Sequence, residues 1–323
     1  MRQTKTNTVF EAVFFNVGQG DCSMVIDYGG KTAAMIDCAN AKPTIERLTD
    51  LSKNGIKLDM IVLTHCHEDH YAGFVRVLSS VDISALTYFI LGLSYKRDTR
   101  AGKRSRSVIQ GIRQTIAQHC KAKPTFLLPN GSIQLGNMSV NSIYPDENDI
   151  LDIGFGDFYT TSVCNDIGTV VKISYKIDEK TYGILVGADS QAEAWGRILS
   201  NGFDPQANVF RFPHHGSDFS NDQVSVDDVL NAIQPEYVVI SVGSINKYKH
   251  PSESAIRAIS KCQYVKKILC TQATHLCSGN SSDTNVPCAG DISFCFSSTG
   301  IQVTPDDHDH ACRIKCFCSP ICK

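Results

Sequence analysis

No apolar stretch in this sequence approaches the roughly 20 residues that a membrane-spanning helix needs. No sign of charge dominates either. The 31 Lys and Arg residues face 33 Asp and Glu residues, a formal net charge of −2. That balance excludes a wholly basic, nucleic-acid-coating protein, while leaving room for a local basic patch. The opening Met1-Arg2-Gln3-Thr4-Lys5 leads into strand-like sequence without a signal-peptide cleavage pattern. Internal repeats and low-complexity linkers are absent as well. These absences point to a soluble, cytoplasmic protein without a membrane partner. Its 323 residues, 42% of them apolar, suffice for one substantial core.

Cysteine, by contrast, is abundant. Nine of the 14 cysteines fall between Cys262 and Cys322. In a reducing compartment, cysteines clustered near histidines point to metal more than to disulfides. Cys270, His275, Cys277 and Cys288 have the residue types for a structural zinc. Cys312, Cys316, Cys318 and Cys322, with His308 and His310, offer a second set in the last 18 residues. Neither spacing is a standard zinc knuckle, and buried thiols would account for the same residues.

The apolar patterning alternates between strands and helices. Val9 to Phe15 and Ser23 to Asp27 read as strands around a turn at Gly18–Asp21, and Lys31 to Asp37 as a third strand. Ile45, Leu48 and Leu51 set a helical spacing over Pro43–Asn54, and Met60-Ile61-Val62-Leu63 has the look of a buried strand. Helices are predicted over Ala72–Leu78, Ser105–Ala122, Ser190–Leu199, Val226–Ile233 and Pro251–Lys261. Strands or hairpins are predicted over Leu86–Leu93, Ser132–Ile143, Thr169–Val186, Asn208–Phe212, Tyr237–Val242, Val265–Cys270 and Ile292–Val303. Sheets covered by helices, an α/β layered fold, follow from this order.

Chemistry concentrates in Thr64-His65-Cys66-His67-Glu68-Asp69-His70, directly after an apolar strand. His65 and His67, two residues apart on an extended segment, project to one side. Imidazole and carboxylate are the usual ligands of borderline divalent metals such as Zn, Mn or Fe. Cys66 between them reads as a small buried filler. Further ligands are expected at other strand ends. Asp189 follows Gly183–Ala188, where a plain helix cap is the lesser reading; His214 and His215 follow Val209–Pro213, and His250 follows Val242–Ser244.

In order along the chain stand Asn16-Val17-Gly18-Gln19-Gly20-Asp21, the His65–His70 motif, Asn165-Asp166, Gly187-Ala188-Asp189, His214-His215-Gly216-Ser217 and Lys249-His250-Pro251. Together they resemble the metallo-β-lactamase fold, and more narrowly the soluble hydrolase domain of the DNA-uptake protein ComEC. The resemblance implies a four-layer αββα sandwich over residues 1–305, followed by a Cys/His-rich tail over 306–323. It implies one or two divalent metal ions, Zn or Mn. His65 and His67 would hold the first metal, Asp69 and His70 the second, with Asp189 bridging and His250 completing the second. His214 or His215 would serve as ligand or contact the substrate. Asp21 would orient a ligand histidine, with Asn165 and Ser217 also behind the ligands. Asp166 or water would stand where many members of the superfamily have a further histidine.

Such an apparatus implies hydrolysis through a metal-activated water, with Asp69 orienting it or taking its proton and His215 assisting. Phosphodiesters, lactones, lactams and thioesters all fit. The segment Tyr95–Arg106 carries Lys96, Arg97, Arg100, Lys103, Arg104 and Arg106 against the single Asp98, a density that attracts phosphate backbones. With the resemblance, this makes a nuclease or phosphodiesterase on nucleic acid, single-stranded DNA above all, the expected activity. A small-molecule hydrolase of lactone, lactam or thioester type is the enzymatic alternative. A non-catalytic module, its loops held together by metal, is the other.

Overall fold

The computed structural model describes residues 7–92, 100–129, 131–150, 165, 167–278 and 288–305. Two sheets form. The first contains β1 (Phe10–Phe14), β2 (Cys22–Asp27), β3 (Thr32–Cys38), β4 (Lys57–Leu63), β5 (Tyr88–Leu91), β6 (Lys123–Thr125), β14 (Ile292–Ser297) and β15 (Gly300–Thr304), in the order β15-β14-β1-β2-β3-β4-β5-β6. The second contains β7 (Ser132–Leu135), β8 (Met138–Tyr144), β9 (Val170–Ile177), β10 (Lys180–Val186), β11 (Val209–Arg211), β12 (Tyr237–Ile240) and β13 (Lys267–Cys270), in the order β13-β12-β11-β10-β9-β8-β7.

Alternation along the strands builds the layers. Phe10, Ala12 and Phe14 point into an apolar cluster shared with Ile173, Ile184 and Val186 of the second sheet, while Val13 joins a cluster on the other face. That outer cluster packs under α1 (Ala41–Ser52), α2 (Glu68–Tyr71), α3 (Phe74–Leu78) and α4 (Arg100–His119), through Leu48, Leu51, Phe74, Leu78 and Ile112. Behind the second sheet, Trp195, Phe210, Leu230 and Ile256 gather α5 (Ala192–Ser200), α6 (Val226–Ile233) and α7 (Glu253–Lys261). Strands covered on both faces have no side free for water, so β2 and β3 are buried at every position. The result is the expected four-layer αββα sandwich.

Several elements differ from their predicted form. The helix expected over 72–78 is confined to Phe74–Leu78, and a separate short helix, Glu68–Tyr71, forms within the histidine loop before it. The cationic segment is not a loop throughout: α4 starts at Arg100 and takes in Lys103, Arg104 and Arg106. The density of Lys and Arg in its first two turns obscured that start. Asp189 is not a cap, because α5 begins after Gln191.

The expected structural zinc set is not assembled. Cys270, Cys277 and Cys288 lie in the apolar cluster behind the second sheet, whereas His275, which opens α8 (His275–Ser278), is exposed. Among the described residues, none of the cysteines is in a disulfide. Cys312, Cys316, Cys318 and Cys322 lie outside the described residues, as do Lys96, Arg97, Asp166 and the side chain of Arg100. No described helix is long and apolar enough to cross a membrane.

Strand direction places the chemistry. β3, β4, β5 and β6 run parallel, as do β10, β11, β12 and β13. Asp37 lies at the end of β3, and the segments that leave β4, β10, β11 and β12 carry His65–His70, Asp189, His214–His215 and His250 respectively. Those ends meet across the seam of the two sheets.

The layer between the sheets supports this arrangement. Phe10, fully buried, stacks on Tyr175 with ring centroids 4.7 Å apart. Phe10→Ala should cost about 3–5 kcal/mol of stability, read as a lower denaturant midpoint with an unchanged slope.

Candidate metal centre

The β1–β2 turn is built to press on the histidine loop. Gly20 has φ +147, and a Cβ there would come within 2.7 Å of the Asp69 carbonyl, so only glycine allows the approach. The next amide, Asp21 N–H, donates to that carbonyl at 2.9 Å. Across the site, His214 and His215 both adopt positive φ (49° and 55°), a conformation costing about 1–2 kcal/mol per non-glycine residue. Gly216, φ +87, closes the turn against Pro251, where a Cβ would sit 2.5 Å from the proline ring. Ala188, just before Asp189, is also at positive φ. Strain collected in this way marks a functional site.

Two groups of ligand-type atoms result, each with its atoms within 4.8 Å of one another: His65, His67 and Asp189, and Asp21, His70, Asp189 and His215. Asp189 belongs to both. In the first, His65 Nε2 lies 3.1 Å from His67 Nδ1 and 3.7 Å from Asp189 Oδ2. In the second, His70 Nε2 lies 3.3 Å from Asp189 Oδ1 and 3.5 Å from Asp21 Oδ2. A tetrahedron with bonds of ~2.0–2.1 Å has edges of about 3.3 Å, so these separations are those of ligands around one small cation.

The proton inventory agrees. His215 Nδ1–H donates to the Ser241 carbonyl at 2.9 Å, so its Nε2 presents a lone pair. Yet Nε2 faces the Asp69 carboxylate, also an acceptor, at 3.1 Å. Only a second proton or a cation reconciles them. His70 has the same problem: Nδ1 contacts Asp37 at 2.8 Å, while Nε2 faces Asp189 and has no hydrogen bond. Burial alone would push His70 down, but Asp189 and Asp37 outweigh it and hold the imidazole well above its ordinary pKa. Burial and then His70 push His65 well below its own. Burial would raise Asp189, but His70 and His215 hold it far below the carboxylate range. Residues with this donor set, short of positive charge at their centre, fit one or two divalent cations.

The predicted residues sort themselves around this centre. His65, His67, His70, Asp189 and His215 converge. Asp69 stands beside the second group, its carboxylate one-third exposed and 3.1 Å from His215 Nε2. His250 does not complete that group; His215 takes the place. The loop after β12 leaves His250 half-buried, its ring 5.3 Å from that of His214, and burial followed by His214 lowers it to about 4. His214 Nε2 lies 4.0 Å from Asp189, bracketed by the amides of Asn165 (3.4 Å) and Gln191 (3.1 Å). Ser217 turns to the Asp218 carbonyl.

Two further residues were not foreseen. Asp37, rather than Asp21, orients His70. It also accepts from Thr64 N–H at 2.8 Å and Thr64 Oγ1–H at 2.7 Å, and Thr64 Oγ1 lies 3.2 Å from His65 Nδ1. One carboxylate thereby sets two ligand rings. Arg211, buried, pairs with Asp21 and donates to the Ala188 carbonyl, and burial lowers it to about 9. Their signal was an acid and a base inside otherwise apolar strand ends, Met35-Ile36-Asp37 and Phe210-Arg211-Phe212.

Residues 15–127 match the model of the metallo-beta-lactamase superfamily. Over that stretch the chain is similar to that superfamily, and its two sheets with helices on their outer faces have the metallo-β-lactamase fold. No curated protein matches the chain. Among solved structures it is similar to the metallo-beta-lactamase fold protein YhfI from Bacillus subtilis (12% identity, TM-score 0.45, covering 77% of this chain and 93% of that one). It is also similar to a long form RNase Z from yeast (12%, 0.48, 83% and 41%), of which it spans less than half. A third is Tm1679, a metal-dependent hydrolase of the beta-lactamase superfamily (13%, 0.43, 81% and 95%).

Two measurements check the centre. Asp37→Ala should weaken metal binding about 10–100-fold in competition with a chelator. Metal analysis of purified variants should show His215→Ala losing bound metal, while His250→Ala keeps the wild-type content.

Proposed function

We propose that this protein is a metal-dependent phosphodiesterase acting on nucleic acid, with single-stranded DNA as the favoured substrate and Zn or Mn as the metal. Helix α4 carries the reading. From Arg100 to His119 it contains no acidic residue, and it is fastened to the metal loop at its start. Arg104 pairs with Glu68 through both guanidinium nitrogens, and Ser105 Oγ–H donates to the Cys66 carbonyl at 3.0 Å. Arg104 is thus a fastener rather than a substrate contact. Lys103, Arg106, Gln110 and Arg113 follow at helical spacing on one exposed face. At ~1.5 Å per residue, the stripe extends about 15 Å away from the histidine loop. Its outer half rims a groove of about 930 Å³ that is floored by Phe89, Leu91 and Ile116 and closed by Lys123. A cationic track leading from a hydrolytic centre suits a polyanionic chain.

Divalent cations at such a centre supply Lewis acidity and bring a water's pKa toward neutrality. The protein's own residues do the rest. Asp69, beside His215 and one-third exposed to solvent, orients the attacking water and directs its proton. The burial of His65, His70 and Asp189 keeps competing water from the ligands. His214, at the mouth, faces the leaving oxygen. The narrower resemblance to the ComEC hydrolase domain supports the same substrate class.

The test is cleavage of single-stranded DNA, duplex DNA and RNA by metal-loaded protein. Chelation or Asp189→Ala should abolish cutting. Reversing Lys103, Arg106 and Arg113 to Glu should slow cleavage of DNA and flatten the dependence of log affinity on log salt by about 2. Hydrolysis of lactone, lactam or thioester substrates with no polynucleotide cut would overturn the proposal.

A further inference from the structure

Four large apolar side chains are exposed among the described residues, and two of them, Ile245 (66%) and Tyr248 (63%), lie in one loop beside the metal centre. The loop is held still. Asn246 donates to the carbonyls of Gly243 and His250 at 3.0 and 2.9 Å and accepts from His250 N–H at 2.7 Å. Its base is tied to the β1–β2 turn, since Gly243 N–H donates to Gln19 at 3.1 Å, and Ser244 N–H donates to Gln272 at 2.7 Å. An exposed aromatic on a loop fastened in this way has already lost the freedom that binding would otherwise cost.

The rings then form a ladder into the centre. Tyr248 stacks on His250 with centroids 5.7 Å apart and planes 22° from parallel. His250 leans on His214 at 5.3 Å, and His214 Nε2 is 4.0 Å from Asp189. Lys247 Nζ stands 4.7 Å from the Tyr248 ring centroid, a contact that an exposed lysine gives up readily, and Lys249 is exposed on the same loop. A flat ring extending a ladder of rings, flanked by two ammonium groups, matches a base with phosphates on either side. A purely aliphatic substrate would have no use for it.

We propose that Tyr248 is a nucleobase platform: one base of a single-stranded substrate stacks on its ring, Lys247 and Lys249 meet the neighbouring phosphates, and the backbone is thereby set against the metal centre. This deepens the nuclease reading and rests on it. His250 is a positioning residue for Tyr248, which accounts for an imidazole near the metals that joins neither ligand group.

The experiment uses the full chain and two labelled probes of equal length, oligothymidylate and an abasic deoxyribose-phosphate oligomer. Binding is read by fluorescence anisotropy in chelator, and KM by cleavage with metal. Tyr248→Ala should weaken oligothymidylate binding roughly tenfold and raise its KM to match, as expected for loss of one base stack. Tyr248→Phe should restore both, and affinity for the abasic oligomer should be the same for all three proteins. Equal losses on both probes, no loss on oligothymidylate, or failure of Tyr248→Phe to rescue would each overturn the platform. If wild type cuts oligothymidylate and Tyr248→Ala behaves identically, the platform alone falls. If wild type neither binds either probe in chelator nor cuts either one with metal, the nuclease reading falls and takes the platform with it.

Discussion

Asp189 is a carboxylate with 2% of its surface exposed, placed where four imidazoles and a second carboxylate also converge. Burying an ionised group without compensation is costly, so everything around Asp189 has to supply positive charge or hydrogen bonds. The protein supplies part of this by holding His70 between Asp37 and Asp189, and by pairing the neighbouring Asp21 with Arg211. What it leaves unanswered, the bare Nε2 of His70 and the two acceptors facing each other at His215 and Asp69, is the space of a cation. The centre is thus designed around a charge that side chains do not carry.

No single element could hold this arrangement. His65–His70 comes from the first sheet, Asp189 and His215 from the second, and the layer of Phe10, Phe14, Ile173 and Ile184 between them sets their separation. Since interiors pack closely, a small shift in that layer would move one half of the ligand set against the other. Backbone strain concentrates where the halves meet, at Asp37, Ala188, His214 and His215, and the packed sheets over-determine it. α4 belongs to the same logic: its charged start docks on the metal loop through Glu68 and Cys66, so the site and the cationic stripe form one surface.

Much of this was legible beforehand because it is local. Alternation in β1 to β4 and helical spacing over Leu48 and Leu51 depend only on neighbours along the chain. The histidine loop announces itself because its ligands are adjacent. His215 and His250 could not be told apart in that way: both follow strands, and both stand beside residues that fit a ligand motif. Asp37 and Arg211 looked like isolated charges at strand ends, since their partners lie 23 or more residues away. Asp189 kept a lesser reading as a helix cap until the position of Gln191 gave the cap's place to another residue. The cysteines near Cys270 suggested zinc by type, but the apolar layer behind the second sheet claimed them first.

The sequence by itself determined the layered α/β class, the position of the histidine loop and the cationic character of the segment that becomes the start of α4, because period, ligand type and charge are properties of contiguous residues. Tertiary structure alone decided which histidine joins Asp189, which carboxylate steers His70, and that Tyr248 stands exposed at the end of a ladder of rings. Those outcomes depend on distances between residues far apart in the chain, and such distances come into being only when two sheets close on a common core.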